Sequence, residues 1–208
     1  MYEEMGSPYV PAIAVGERVT SILHFSQIAS ILELSAGSPA SSQANAWDIT
    51  SIQQSYVDLL PRLGWDAALE PTPARGRSVR NITVNAFHPF DLVREAWNTR
   101  DFPWFTGDAD VAREQPLTSM EKLCGYALDH HQRWQNFVLE TGEALDRADP
   151  VVSSPHKGDI PYSVLLESQR WHLAYHFRHL IDALRRHGAD TADAIDVEML
   201  VDLPKEWY

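Results

Sequence analysis

The 208-residue chain carries 29 acidic residues against 17 Lys and Arg, a formal net charge of −12. A surface of that sign repels a phosphate backbone, which excludes general nucleic-acid binding. The single cysteine, Cys124, excludes an internal disulfide, a zinc ribbon or a redox dithiol built from this chain. The length suits one well-buried core with a small appendage. No run approaches the roughly 18 uninterrupted apolar residues of a membrane span. Met1-Tyr2-Glu3-Glu4 lacks the basic start of an export signal, so a soluble, cytoplasmic protein with no membrane partner is expected.

The first 36 residues read as a β-turn-β-helix unit. Val10 to Val15 is a strand candidate, Gly16-Glu17-Arg18 a turn, Val19 to Leu23 a second strand, and Ser26 can cap a helix from Gln27 to Leu34. Residues 37–46, rich in Ser, Ala, Gly and Pro, read as a linker. Four longer helices then fill 47–208. The first spans about Thr50 to Leu63, its last turn bent by Pro61 and its end marked by Gly64. The second starts at Ser78 and carries Ile82, Asn85 and Ala86, with His88 and an interrupting Pro89 after them. Arg75, Arg77 and Arg80 make the only compact basic cluster, a solvated helix entry or a site for a small anionic substrate or thiol. Asp101 to Gly107 reads as an irregular aromatic stretch in which Trp104 can form a pocket wall.

The third helix opens with a capping box, Thr118 to Glu121, and runs to about Leu145, placing Tyr126, His130 and Trp134 on one stripe and turning His131 toward solvent. Cys124 reads as a small buried apolar residue on it. The fourth runs from about Pro161 to His187, stopped by Gly188. Its inward stripe contains Leu165, Gln169, His172, His176, Ala183 and Leu184, with His179 at the margin. At i and i+4, His172 and His176 have Cβ atoms about 6 Å apart, close enough to reach one metal ion. Two structural core histidines are the plainer reading of the same spacing. Four such amphipathic segments fit an up-down four-helix bundle, and the tail Leu203 to Tyr208 is expected to pack back on the body.

With Trp171-His172 and His176-Phe177-Arg178 placed, the chain resembles the DinB-like (YfiT-like) superfamily. The likeness is carried by Ser78-Val79-Arg80-Asn81-Ile82, by Leu165 to Leu180 and by the terminal Leu203-Pro204-Lys205-Glu206-Trp207. The N-terminal 36 residues resemble the later half of a glutaredoxin-like fold, without its cysteine motif. The resemblance implies a divalent metal (Zn, Ni or similar) held by three histidines, and a low-molecular-weight thiol as co-substrate. Two of those histidines carry over to His172 and His176; Asn85 stands at the third position, with His88 three residues on. An amide oxygen is a poorer donor than imidazole for such metals, and His130 is a further candidate.

Three functions follow. In the first, His172, His176 and Asn85 or His88 hold a metal that activates a thiol or water for transfer or isomerisation of a small molecule. Gln169, Glu167 or Tyr126 orients the ligands, while Trp171, Trp104 and Arg80 line the substrate. In the second, the two histidines act as an acid-base pair without metal, with Asn85 as hydrogen-bond donor, in a cyclisation, isomerisation or hydrolysis. In the third the chain is a non-catalytic binder or a homodimer-forming module, its strand edge covered by another copy.

Overall fold

The computed structural model describes residues 12–15, 18–21, 40–73, 76–103, 107–155 and 158–201. Two compact units emerge, Met1–Ser41 and Ser42–Tyr208. In the first, β1 (Ala12–Val15) and β2 (Arg18–Ser21) pair antiparallel, with Ala12 opposite Ser21 and Val15 opposite Arg18. The helix expected over Gln27 to Leu34 lies outside the described residues, as do Trp104 and the tail from Leu203 to Tyr208.

The second unit is mainly helical. Helix α1 (Ser42–Leu59) starts well before Thr50, so residues 42–46 of the expected linker are helix. Its buried face runs Ser42, Asn45, Ala46, Ile49, Ile52, Gln53, Tyr56 and Leu59, helical in spacing but polar at its start. Its first turn is capped from far away, Gln43 N–H donating to Asp146 at 2.8 Å. The turn bent by Pro61 is a 3-10 segment, Leu60–Arg62, and Gly64 opens the short α2 (Trp65–Leu69) instead of closing α1.

Ser78 caps α3 (Val79–Phe87) by accepting from Asn81 N–H. Pro89 ends it and begins α4 (Pro89–Thr99). A further helix, α5 (Gly107–Glu114), stands where an irregular stretch was expected to end. Helix α6 (Met120–Thr141) is capped by Ser119, one residue after the expected Thr118, and stops at Gly142, whose φ of +48° leaves the helical region. There follow α7 (Ala144–Ala148), an unforeseen antiparallel hairpin of β3 (Val151–Ser154) and β4 (Gly158–Pro161), α8 (Tyr162–Arg186) and α9 (Val197–Leu200). The hairpin pins the end of α4: Phe102 N–H donates to Ser153 and Ser153 N–H to Arg100, at 2.8 and 2.9 Å.

Helix α8 packs on α1 and α3, and α6 on α1, α3 and α4. Cross-contacts fix their directions. Arg170 meets Asp48 at 2.6 Å, and Arg62 meets Asp193 just beyond α8, also at 2.6 Å, so α1 and α8 run the same way. His172 meets Asn85 and Tyr162 meets Val93, so α3 and α4 run against α8. Trp134 reaches Ala46 and His131 reaches Gln54, which sets α6 against α1. Helices α4 and α6 are therefore parallel, as Asp91 with Arg133 and Trp97 with Phe137 also show. The alternating up-down order expected from sequence does not hold. Its reason is the connection containing α5, which is long enough to return along the helices before α6 starts.

The interior is aromatic. Trp134, Tyr56, Tyr162, Phe87, Phe90 and Phe177 are fully buried. Tyr56 joins three helices, its hydroxyl 3.0 Å from that of Thr83 and its ring edge-on to Phe87 at 5.1 Å and tilted against Phe177 at 6.1 Å. Among the described residues no helix is long and apolar enough to cross a membrane.

Candidate functional site

The stripe on α8 lies where its spacing requires. Leu165, Gln169, His176, Ala183 and Leu184 are buried, and His172 is half-buried. The rings of His172 and His176 are 4.5 Å apart between centroids, with planes at 77°. His176 is 4% exposed and its Nδ1 has no hydrogen-bond partner. Burial first, then the nearby His172, His179 and Arg77, holds its pKa well below the usual imidazole value, so it is neutral at pH 7.

His172 meets α3 through the backbone. Proline has no N–H, so at Pro89 it withdraws the helical donor for the carbonyl of Asn85. His172 Nε2 occupies that place, 3.0 Å from the Asn85 oxygen. A carbonyl only accepts, so Nε2 carries the hydrogen and Nδ1 is the accepting nitrogen. The contact seen between Asn85 and His172 runs through the Asn85 main chain, where the sequence suggested a side-chain ligand. Ligation through Nε2 would require His172 to lose that proton and turn away from Asn85, so a metal here would have to be met through Nδ1. Among the described residues, no group of three or more His, Cys, Asp and Glu side chains is arranged to hold a metal.

A second polar cluster joins α4 to α6. Asp91 accepts from Arg94 at 2.9 Å and from Arg133 Nη2 at 3.1 Å. The Nδ1 of buried His130 lies 3.3 Å from the same carboxylate, without the alignment of a hydrogen bond. Burial outweighs the attraction of Asp91, and the pKa of His130 is pushed down to about 4. His88 stands close enough to contribute to that shift, and the Tyr126 ring lies 4.2 Å from His130. Both His88 and Tyr126 are therefore members of this cluster. His131, expected in solvent, is 2% exposed with Nε2 3.0 Å from Gln54, because α1 packs over that side of α6. An open cleft of about 380 Å³ between α4 and α6 is lined by Arg94, Glu95, Arg133, Asn136 and Glu140, among others, and by no histidine of α8.

The remaining expected residues are dispersed. Arg80 pairs with Glu114 of α5 at 3.4 Å, and Asn81 donates to the same buried carboxylate. Trp171 stacks on Tyr175 with planes 3° apart. Gln169 is buried, with Oε1 lacking a hydrogen bond. Cys124 is half-buried, and burial raises its thiol pKa.

No family model matches this sequence, and no curated protein or solved structure matches it.

Sequence reasoning passed over Tyr175, whose ring is edge-on to His179 at 4.5 Å, and it left His179 at the margin of the stripe. His179 lies 6.3 Å from His176 between centroids. Its position three residues after His176 was the available signal. Glu114 carried none, since its partners lie 33 and 34 positions away in sequence.

Proposed function

We propose that the chain is a DinB-like four-helix-bundle enzyme that acts on a small molecule by proton transfer from the histidines of α8, without a bound metal. The supporting observation is the 3.0 Å contact of His172 Nε2 with the Asn85 carbonyl. A donor hydrogen bond on one ring nitrogen fixes the tautomer and leaves the other to take a proton. On protonation, the imidazolium donates a stronger, charge-assisted bond to the same oxygen, which steadies the charged form. His176, buried and neutral, lets the pair carry one proton at a time. Isomerisation, cyclisation or hydrolysis suits such a base.

Nitrogen-15 spectra of the imidazoles, with metal analysis of the purified full chain, test this reading. The expected result is the Nε2-protonated tautomer of His172 before and after chelator dialysis, with far less than one equivalent of metal. A stoichiometric zinc or nickel ion whose removal shifts the resonances of both His172 and His176 would overturn it.

A further inference from the structure

Two of the three histidines of α8, His176 and His179, feel the charge of Arg77. Arg62, Arg80, Arg94, Arg133, Arg147 and Arg170 each pair with a carboxylate. Arg77 is half-buried and, among the described residues, has no such partner. Its backbone is held in place: Thr72 N–H donates to its carbonyl at 2.9 Å, and Pro71 bridges to Ser78. This puts it immediately before α3, the helix that packs on α8, within electrostatic reach of His176 and His179.

Those two rings carry buried nitrogens without hydrogen-bond partners, Nδ1 of His176 and Nε2 of His179. Buried polar atoms are ordinarily paired, so two unpaired nitrogens near a cation that has no carboxylate among the described residues form a place where a ligand would supply the partner. With each ring in the tautomer that puts its hydrogen on the unpaired nitrogen, one partner that serves both rings and the guanidinium is an acceptor with negative charge. An oxyanion takes charge-assisted N–H bonds of about 2.7–2.9 Å, which lets one group bridge rings at this separation and neutralise the guanidinium. The chain makes the same choice nearby, where Arg80 and Asn81 hold the buried carboxylate of Glu114. The acidic group nearest His179 on its own helix is Asp182, which is exposed one turn farther on.

We propose that Arg77, His176 and His179 bind the carboxylate or phosphate of a small anionic ligand, next to the nitrogen of His172 that takes the proton. That this anion belongs to the substrate rests on the proton-transfer reading above; the anion site itself does not.

The test titrates the full-length chain with inorganic phosphate and, separately, acetate, followed by imidazole nitrogen-15 spectra and calorimetry. Saturable one-to-one binding that moves the His176 and His179 resonances is expected with at least one of the two anions. Arg77→Gln should weaken it by roughly 10- to 100-fold, the loss of one charged hydrogen bond, and Arg77→Lys by less. If Arg77→Gln fails to fold, His179→Gln is measured in its place with the same expectation. No saturable binding of either anion, or equal affinity in wild type and Arg77→Gln, overturns the site. His172→Phe separates the two readings: it should abolish proton transfer yet leave phosphate or acetate affinity within about twofold, a change of less than 1 kcal/mol. Loss of anion binding in His172→Phe but not in Arg77→Gln would also refute the proposal.

Discussion

Replacing His172 by Phe should destabilise the protein through a carbonyl on another helix, and replacing Pro89 by Ala should restore what is lost. His88 is helical, with φ of −55° and ψ of −40°, so the chain passes from α3 into α4 without leaving helical geometry. The donor at residue 89 is missing from the ladder, and His172 supplies it at 3.0 Å. Phe keeps a ring against His176 but has no N–H, leaving the Asn85 oxygen without this donor; the cost of such an acceptor is about 1–3 kcal/mol. For a chain of this size that corresponds to a fall in Tm of roughly 3–10 °C. In the Phe variant, Pro89→Ala places a backbone N–H four residues beyond Asn85 and rebuilds the ordinary helical bond. In the wild type the same change gives a second donor to an oxygen already satisfied, and forfeits about 0.4–1 kcal/mol of proline's restriction of the unfolded chain. Thermal and urea unfolding of the two single variants and the double variant should show a coupling of 1 kcal/mol or more, with the double variant more stable than His172→Phe alone. Additivity within about 0.5 kcal/mol would refute the idea that His172 replaces the donor removed by Pro89.

Two further outcomes follow from the buried charges. His130, at about 4, and His176, also lowered, bind fewer protons when folded than when unfolded. Their neutral forms therefore favour the fold fully above about pH 6.5, and that stability drains away as pH falls toward the folded values; His130 alone should cost about 2 kcal/mol by pH 5. Urea midpoints at pH 7.5, 6 and 5 read this out, and an identical slope in His130→Gln would show that His130 is not responsible. Glu114→Gln leaves Arg80 without its countercharge and should cost about 1–3 kcal/mol, with faster amide exchange in α5; unchanged exchange there would mean that the carboxylate does not hold α5 down.

What the sequence revealed and what it hid divide along a physical line. Helix α8, its apolar stripe and its histidine pair were readable because 3.6-residue periodicity is a local property. The cap at Ser78 and the interruption at Pro89 were readable for the same reason. The start of α1 was not: its inward face begins with Ser42 and Asn45, and its first turn is capped by Asp146, 103 residues away. His131 was misplaced because helical spacing gives the angle between neighbours but not which sides of α6 other helices cover. The Pro89 and His172 contact lay between. That proline frees the Asn85 carbonyl was deducible from composition; that an imidazole from α8 would answer it needed the tertiary fold.

The parallel course of α1 and α8 bears on how the chain is made. Asp48 and Arg170 are 122 positions apart, and the face of α1 that packs on α8 stays uncovered until the final long helix has been synthesised. The loop between them has to close before either face is buried, so this unit cannot complete its core before α8 has been made. An interrupted chain lacking α8 would leave the α8-facing sides of α1 and α3 uncovered, as a substrate for chaperones or proteases rather than as a smaller stable domain.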